Sequence, residues 1–101
     1  MFVAVFAYEV PSDLVFEFEA EYGPAGGWSE LFARAPGYLG SELLRDRATP
    51  GRYLVLDRWE SDAARDAFLQ RWAGVYAAHS QECERLYASE VDLGRFRAVG
   101  D

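Results

Sequence analysis

Apolar residues alternate with a period of two at several places along this chain, and they recur every three to four residues in the stretches between. The run from Pro36 to Ser61, PGYLGSELLRDRATPGRYLVLDRWES, carries the clearest pattern. It predicts two strands joined by a tight turn and closing on a helix start. The second of these strands puts Leu54 and Leu56 on one face and Tyr53, Val55 and Trp59 on the other, so both of its faces are apolar. A chain of 101 residues has helix enough to cover only one of them. The other face needs a partner.

The flanking segments complete the set. Residues 2–10, FVAVFAYEV, predict a strand that is apolar on both faces and ends at Pro11. Ser12 and Asp13 offer N-cap oxygens to a helix whose Leu14, Val15, Phe18 and Tyr22 fall on one side. Glu17, Glu19 and Glu21 lie mostly on its flanks. The stretch Gly23-Pro24-Ala25-Gly26-Gly27 breaks that helix, and Trp28, Leu31, Phe32 and Ala35 mark a second helical piece that Pro36-Gly37 ends. Strand two is predicted from Tyr38 to Asp46 and strand three from Arg52 to Glu60. Between them Thr49-Pro50-Gly51-Arg52 has the residues of a type II turn. Ser61 and Asp62 cap the next helix, whose stripe runs Ala64, Phe68, Trp72, Tyr76, His79, Cys83, Leu86 and Tyr87, with Gly74 a place for a kink. The last strand starts at Glu90 or Val91, and its charges suit an edge. The tail Gly100-Asp101 is expected to fray.

Strand, helix, strand, strand, helix, strand is the ferredoxin-like βαββαβ order: an α+β fold with both helical segments on one face of a four-stranded antiparallel sheet. The whole chain, 1–101, reads as a single domain. Soluble monomers rarely bare an apolar patch beyond roughly 300–600 Å². Two such sheet faces packed together make a two-fold homodimer.

Composition narrows the function. Half of the residues are apolar and 16% are aromatic, too many for disorder and enough to line a pocket or an interface as well as a core. The net charge is −7, and ten scattered arginines with no lysine form no basic block, which argues against nucleic acid and anionic membranes as partners. Cys83 is the only cysteine, so neither an internal disulfide nor a cysteine-based metal cluster is expected. No signal peptide and no apolar run approaching the roughly 20 residues of a membrane span is visible, so a soluble, cytoplasmic protein is expected. No Ser-His-Asp order, phosphate loop, Rossmann fingerprint or zinc spacing is present, and the glycines at 23–27 follow a helix rather than a strand.

Gly27-Trp28 with Leu31-Phe32, the opening Pro36-Gly37-Tyr38-Leu39-Gly40, then Glu42-Leu43-Leu44, Tyr53-Leu54-Val55-Leu56-Asp57, Arg58-Trp59-Glu60-Ser61 and Phe68 together resemble the antibiotic biosynthesis monooxygenase family of the dimeric α/β-barrel superfamily. The similarity spans roughly residues 2–96. It implies the ferredoxin-like fold and a homodimer through the sheet face. For activity it implies less, because the family includes cofactor-free oxygenases of aromatic polyketides, haem-degrading enzymes and proteins with no known reaction.

The candidates for chemistry are few. His79, the only histidine, lies on an apolar helical stripe with Trp72, Tyr76 and Cys83, either as a general base or proton shuttle facing a pocket or as a half-buried residue bonded to a neighbour. Asp57 shares a face with Val55 and Trp59, where desolvation makes it a base, unless it pairs with Arg45 or Arg58 or sits at a wet edge. Trp28, Phe32, Trp59, Phe68, Trp72 and Tyr76 are candidate pocket walls for a flat aromatic molecule, with part of the set expected in the core. Cys83, beside Glu82 and Glu84, reads as a small buried hydrophobe. In haem-degrading relatives a helix histidine ligates the iron, and Ala77-Ala78-His79 resembles that position. Those relatives also carry an Asn in the first strand and a Trp about ten residues before the histidine, where this chain has Phe6-Ala7-Tyr8 and Leu69. The resemblance therefore implies a cofactor-independent monooxygenase acting on a small quinol- or polyketide-type aromatic, without metal or cofactor, in preference to haem degradation. A non-catalytic small-molecule-binding homodimer stands beside it.

Overall fold

The strand Arg52–Trp59 (β3) sits inside a four-stranded antiparallel sheet with order β2 (Tyr38–Arg45), β3, β1 (Phe2–Glu9), β4 (Ser89–Arg97). The computed structural model describes residues 1–100; Asp101, the end of the expected frayed tail, lies outside them. Four helices, α1 (Val15–Tyr22), α2 (Gly27–Phe32), α3 (Asp62–Arg71) and α4 (Ala73–Cys83), complete the expected ferredoxin-like α+β fold. None is long and apolar enough to cross a membrane among the described residues.

Alternation along β3 does what the pattern required. Tyr53, Val55, Asp57 and Trp59 are buried, while Leu54, Leu56 and Arg58 on the opposite face are half-buried. The buried side feeds two clusters. One gathers Tyr8, Phe18, Tyr22, Tyr53 and Leu86; the other gathers Phe2, Leu31, Phe32, Trp59 and Phe68; Trp28 packs against both. The opposite side stays apolar, with Leu44, Val91 and Phe96 exposed beside Val3, Val5, Leu54 and Leu56.

Local signals place most boundaries. Arg52 N–H donates to the Thr49 carbonyl across the turn at 3.2 Å, and Gly51 takes φ +84°, as the third position of a type II turn demands. Ser61 caps α3 by accepting from Ala64 N–H at 3.1 Å. Two expectations are corrected. Ser12 and Asp13 cap nothing, because a single 3-10 turn closed by Leu14 N–H on the Pro11 carbonyl leads into α1. The break between α3 and α4 falls at Trp72, two residues before Gly74, where the backbone leaves helical geometry at φ −111°, ψ 24°. The edge strands are also irregular: Leu39 and Leu93 are extra residues that bulge out of the ladders, each followed by a glycine at φ near +120°.

Glu19 ties α1 to the sheet. Its carboxylate accepts two hydrogen bonds from Arg45, both 2.7 Å, and one from the Tyr53 hydroxyl at 2.5 Å. Arg45, then Tyr53, hold its pKa down at about 2. A carboxylate with a lowered folded pKa stabilises the fold fully above its unfolded value and loses that contribution as pH falls toward the folded one. Glu19→Gln should therefore lower the urea midpoint relative to wild type at pH 7, and the gap should shrink steadily as the comparison moves down toward pH 2.

Candidate functional site

A cavity of about 90 Å³ lies between the sheet and α2, α3 and α4. Its aromatic walls are Phe6, Tyr8, Tyr22, Trp28, Phe32 and Tyr76; its polar wall is made by Ser29, Ser41, Asp57, Arg65, Ser80 and Glu90. At about 30 Å³ per molecule it holds roughly three waters.

The bulge at Leu39 builds the polar wall. With one residue looped out, Tyr38 and Ser41 point to the same face although three positions apart. Ser41 Oγ donates to Asp57 Oδ1 at 2.7 Å, and Tyr38 OH lies 2.5 Å from Ser41 Oγ. Ser41 spends its one proton on Asp57, so Tyr38 donates to Ser41. Asp57 is 7% exposed, and burial raises its carboxyl pKa, opposed by the Ser41 hydrogen bond and the Arg65 charge. Arg65 comes from the inner face of α3, is 8% exposed, and closes no hydrogen bond or ion pair among the described residues. Its planar fork of donors thus faces the cavity uncommitted. On the far wall Tyr8 OH donates to Glu90 Oε2 at 2.5 Å, and burial pushes both the Tyr8 and Tyr76 hydroxyls above the ordinary tyrosine range.

The predicted residues separate into three groups. Asp57, Trp28, Phe32 and Tyr76 meet at the cavity. Asp57 is not paired with Arg45 or Arg58, which bind Glu19 and Glu42 instead. Trp59 and Phe68 belong to the core, and Trp72 packs against the same cluster with the guanidinium carbons of Arg34 and Arg71 5.5 and 5.4 Å from its ring. His79 does not line the cavity. One residue of helix turns the side chain by about 100°, so the face that presents Tyr76 and Ser80 inward carries His79 sideways. Its ring lies edge-on to Trp28 at 4.5 Å, and its Nε2 is 3.4 Å from Glu21 Oε2 and 3.8 Å from Cys83 Sγ. Burial and the Glu21 charge push the Cys83 thiol up to about 11. Sequence reasoning missed Arg65 and Ser41. Arg65 did leave a signal, an arginine on the Phe68–Trp72–Tyr76 stripe at helical spacing. Ser41 shows its face only once the bulge is known.

A four-stranded antiparallel sheet with helices on one face, over an aromatic cavity holding a buried carboxyl, defines a ferredoxin-like domain with a candidate site at that cavity. The family model for antibiotic biosynthesis monooxygenases matches residues 1–86, and the chain belongs to that family. A haem oxygenase (mycobilin-producing) of Mycobacterium tuberculosis is 34% identical over 101 residues, covering 98% of this chain and 90% of that protein. Among solved structures, the haem degrader MhuD of Mycobacterium tuberculosis with two haems bound is 30% identical, with TM-score 0.63, over 100% of this chain and 98% of that one. A variant of SnoaB, a cofactor-independent oxygenase from Streptomyces nogalater, has TM-score 0.73 over 99% of this chain and 94% of that one at 20% identity, a likeness of fold. The expected preference against haem is corrected to this extent: the similarity to a haem oxygenase brings that alternative back.

A carboxyl whose folded pKa is raised costs stability once pH has passed through that pKa and costs nothing while both states are protonated. Asp57→Asn should therefore raise the urea midpoint at pH 7, and the gain should disappear on acidification through the carboxylate range.

Proposed function

We propose that the protein is a cofactor-independent oxygenase of a small acidic phenol or quinol, with Asp57 as base and Arg65 as the group that receives the developing anion. One observation carries this reading: a buried carboxyl and a buried, uncommitted guanidinium line the same aromatic cavity. Asp57 takes a proton from the substrate, aided by the raised pKa that burial gives it. Arg65 donates to the resulting oxyanion in a water-poor site. The anion supplies electrons to dioxygen and forms a C–O bond; the hydroperoxide formed then loses water. In balance, the ring CH₂ of the keto tautomer of a phenol or quinol with a free ring position and O₂ yield a ketone and H₂O. A ring entering the cavity must displace its water and press outward the half-buried Trp28 and Tyr76.

The haem alternative is favoured by the 34% identity to a haem oxygenase. The residues here do not fit the macrocycle as they stand. The cavity of about 90 Å³ would have to open far wider for a macrocycle than for a small aromatic, and His79 faces Glu21 and Cys83 behind Trp28. Oxygen uptake with anthrone- and quinol-type compounds distinguishes the two. The oxygenase reading expects one O₂ consumed per ketone formed without added haem. It also expects a loss on the order of 10²–10⁴-fold in Asp57→Asn and 10²–10³-fold in Arg65→Leu. A Soret band on haem addition that His79→Ala abolishes, with no uptake in its absence, would replace it by haem degradation. Tryptophan quenching by such compounds without uptake would leave a binder.

The same reading includes a two-fold dimer through the open sheet face, where Val3, Leu54, Leu56, Val91 and Phe96 form a continuous apolar surface. Light scattering should give twice the chain mass at micromolar concentration, and Leu56→Asp should give a monomer or insoluble protein; a wild-type folded monomer would defeat this part.

A further inference from the structure

On the far side of Trp28 from the cavity, three side chains of ligand type converge. Glu21 comes from the last turn of α1, and His79 and Cys83 come from α4, one helical turn apart on the same face. Glu21 Oε2 lies 3.4 Å from His79 Nε2, and His79 Nε2 lies 3.8 Å from Cys83 Sγ. All three donor atoms fall within 4.8 Å of one another. Around a tetrahedral zinc ion, with bonds of about 2.0–2.2 Å to N and O and about 2.3 Å to S, ligand atoms stand roughly 3.3–3.6 Å apart. The His–Glu spacing already matches, the His–Cys spacing needs to close by a few tenths of an ångström, and the Glu–Cys pair, within 4.8 Å, by up to about 1.2 Å.

We propose that Glu21, His79 and Cys83 form a three-ligand site for a zinc-class divalent ion, its fourth position open to water. Carboxylate, imidazole and thiolate together suit zinc or cobalt and not calcium or magnesium, which take oxygen ligands. The surroundings favour the ion. A Cβ on Gly27 would stand 2.1 Å from Glu21 Oε2 and 3.1 Å from His79 Cε1, so a glycine at the start of α2 is what lets the carboxylate reach the imidazole. The Trp28 indole N–H is buried beside His79 without a hydrogen-bond partner among the described residues. Arg85 closes its ion pair on Glu17 at 2.8 Å rather than on Glu21. A surface groove lined by Glu21, Gln81, Glu82, Cys83 and Arg85 provides the entry path. The ion would bridge α1 to α4 behind α2, and it would occupy the imidazole that the haem alternative needs. Failure of the oxygenase reading leaves this site untouched, since the two share no proposed reactive group.

The test uses the full chain, stripped with a chelator and titrated with Co²⁺ alone. One equivalent should produce thiolate-to-cobalt charge-transfer absorption in the near ultraviolet and the strong visible bands of a four-coordinate ion, and Zn²⁺ should bleach both. Cys83→Ser should lose the charge-transfer band; His79→Gln and Glu21→Gln should each weaken cobalt binding by at least about tenfold. Circular dichroism identifies any variant that fails to fold, and a wild-type measurement stands beside them: zinc should raise the Tm of the wild-type protein. Absence of charge-transfer absorption in the wild type, a wild-type Tm indifferent to zinc, or unchanged cobalt affinity in folded Cys83→Ser and His79→Gln would overturn the proposal.

Discussion

A strand in the middle of a sheet has two faces, and this fold is built around the unequal treatment of the two faces of β3. All the helical cover goes to the side of Tyr53, Val55, Asp57 and Trp59. Fully burying an aromatic or aliphatic side chain is worth about 1.5–3 kcal/mol, so packing Trp59, Phe18 and Phe68 against one another is a large share of what a domain this size gains. That gain also holds the one charged residue of the series, Asp57, away from water. An apolar strand position occupied by a carboxyl is a cost that only tertiary packing can impose, and the raised pKa of Asp57 records it.

The cost is moderated rather than removed. Ser41 donates to Asp57, Tyr38 backs Ser41, and Arg65 lies across the cavity without closing on the carboxylate. A tight buried ion pair would have satisfied both charges and left neither available. Here a buried carboxyl and a buried guanidinium line the same small volume without such a pair.

Trp28 partitions the space under the helices. It packs on both core clusters, lines the cavity with one side, and meets His79 with the other. The only histidine is thereby separated from the buried carboxyl. Similarity to a haem oxygenase and a small cavity bear on the same indole, because Trp28 stands between His79 and the cavity.

Periodicity alone carried the strands, the βαββαβ order, the two apolar faces of β3 and the inward face of Asp57, because these depend on spacings of two and of three to four residues. The capping oxygen of Ser61 and the Pro50-Gly51 turn were legible for the same local reason. What local spacing does not contain is one extra residue in an edge strand or the rotational phase of a helix against a sheet. The Leu39 bulge brought Tyr38 and Ser41 to Asp57. The break at Trp72 set the phase of α4, which turned Tyr76 toward the cavity and His79 toward Glu21 and Cys83. The Ser41–Asp57 and His79–Glu21 encounters join residues 16 and 58 positions apart in the chain, and only the tertiary packing decides them.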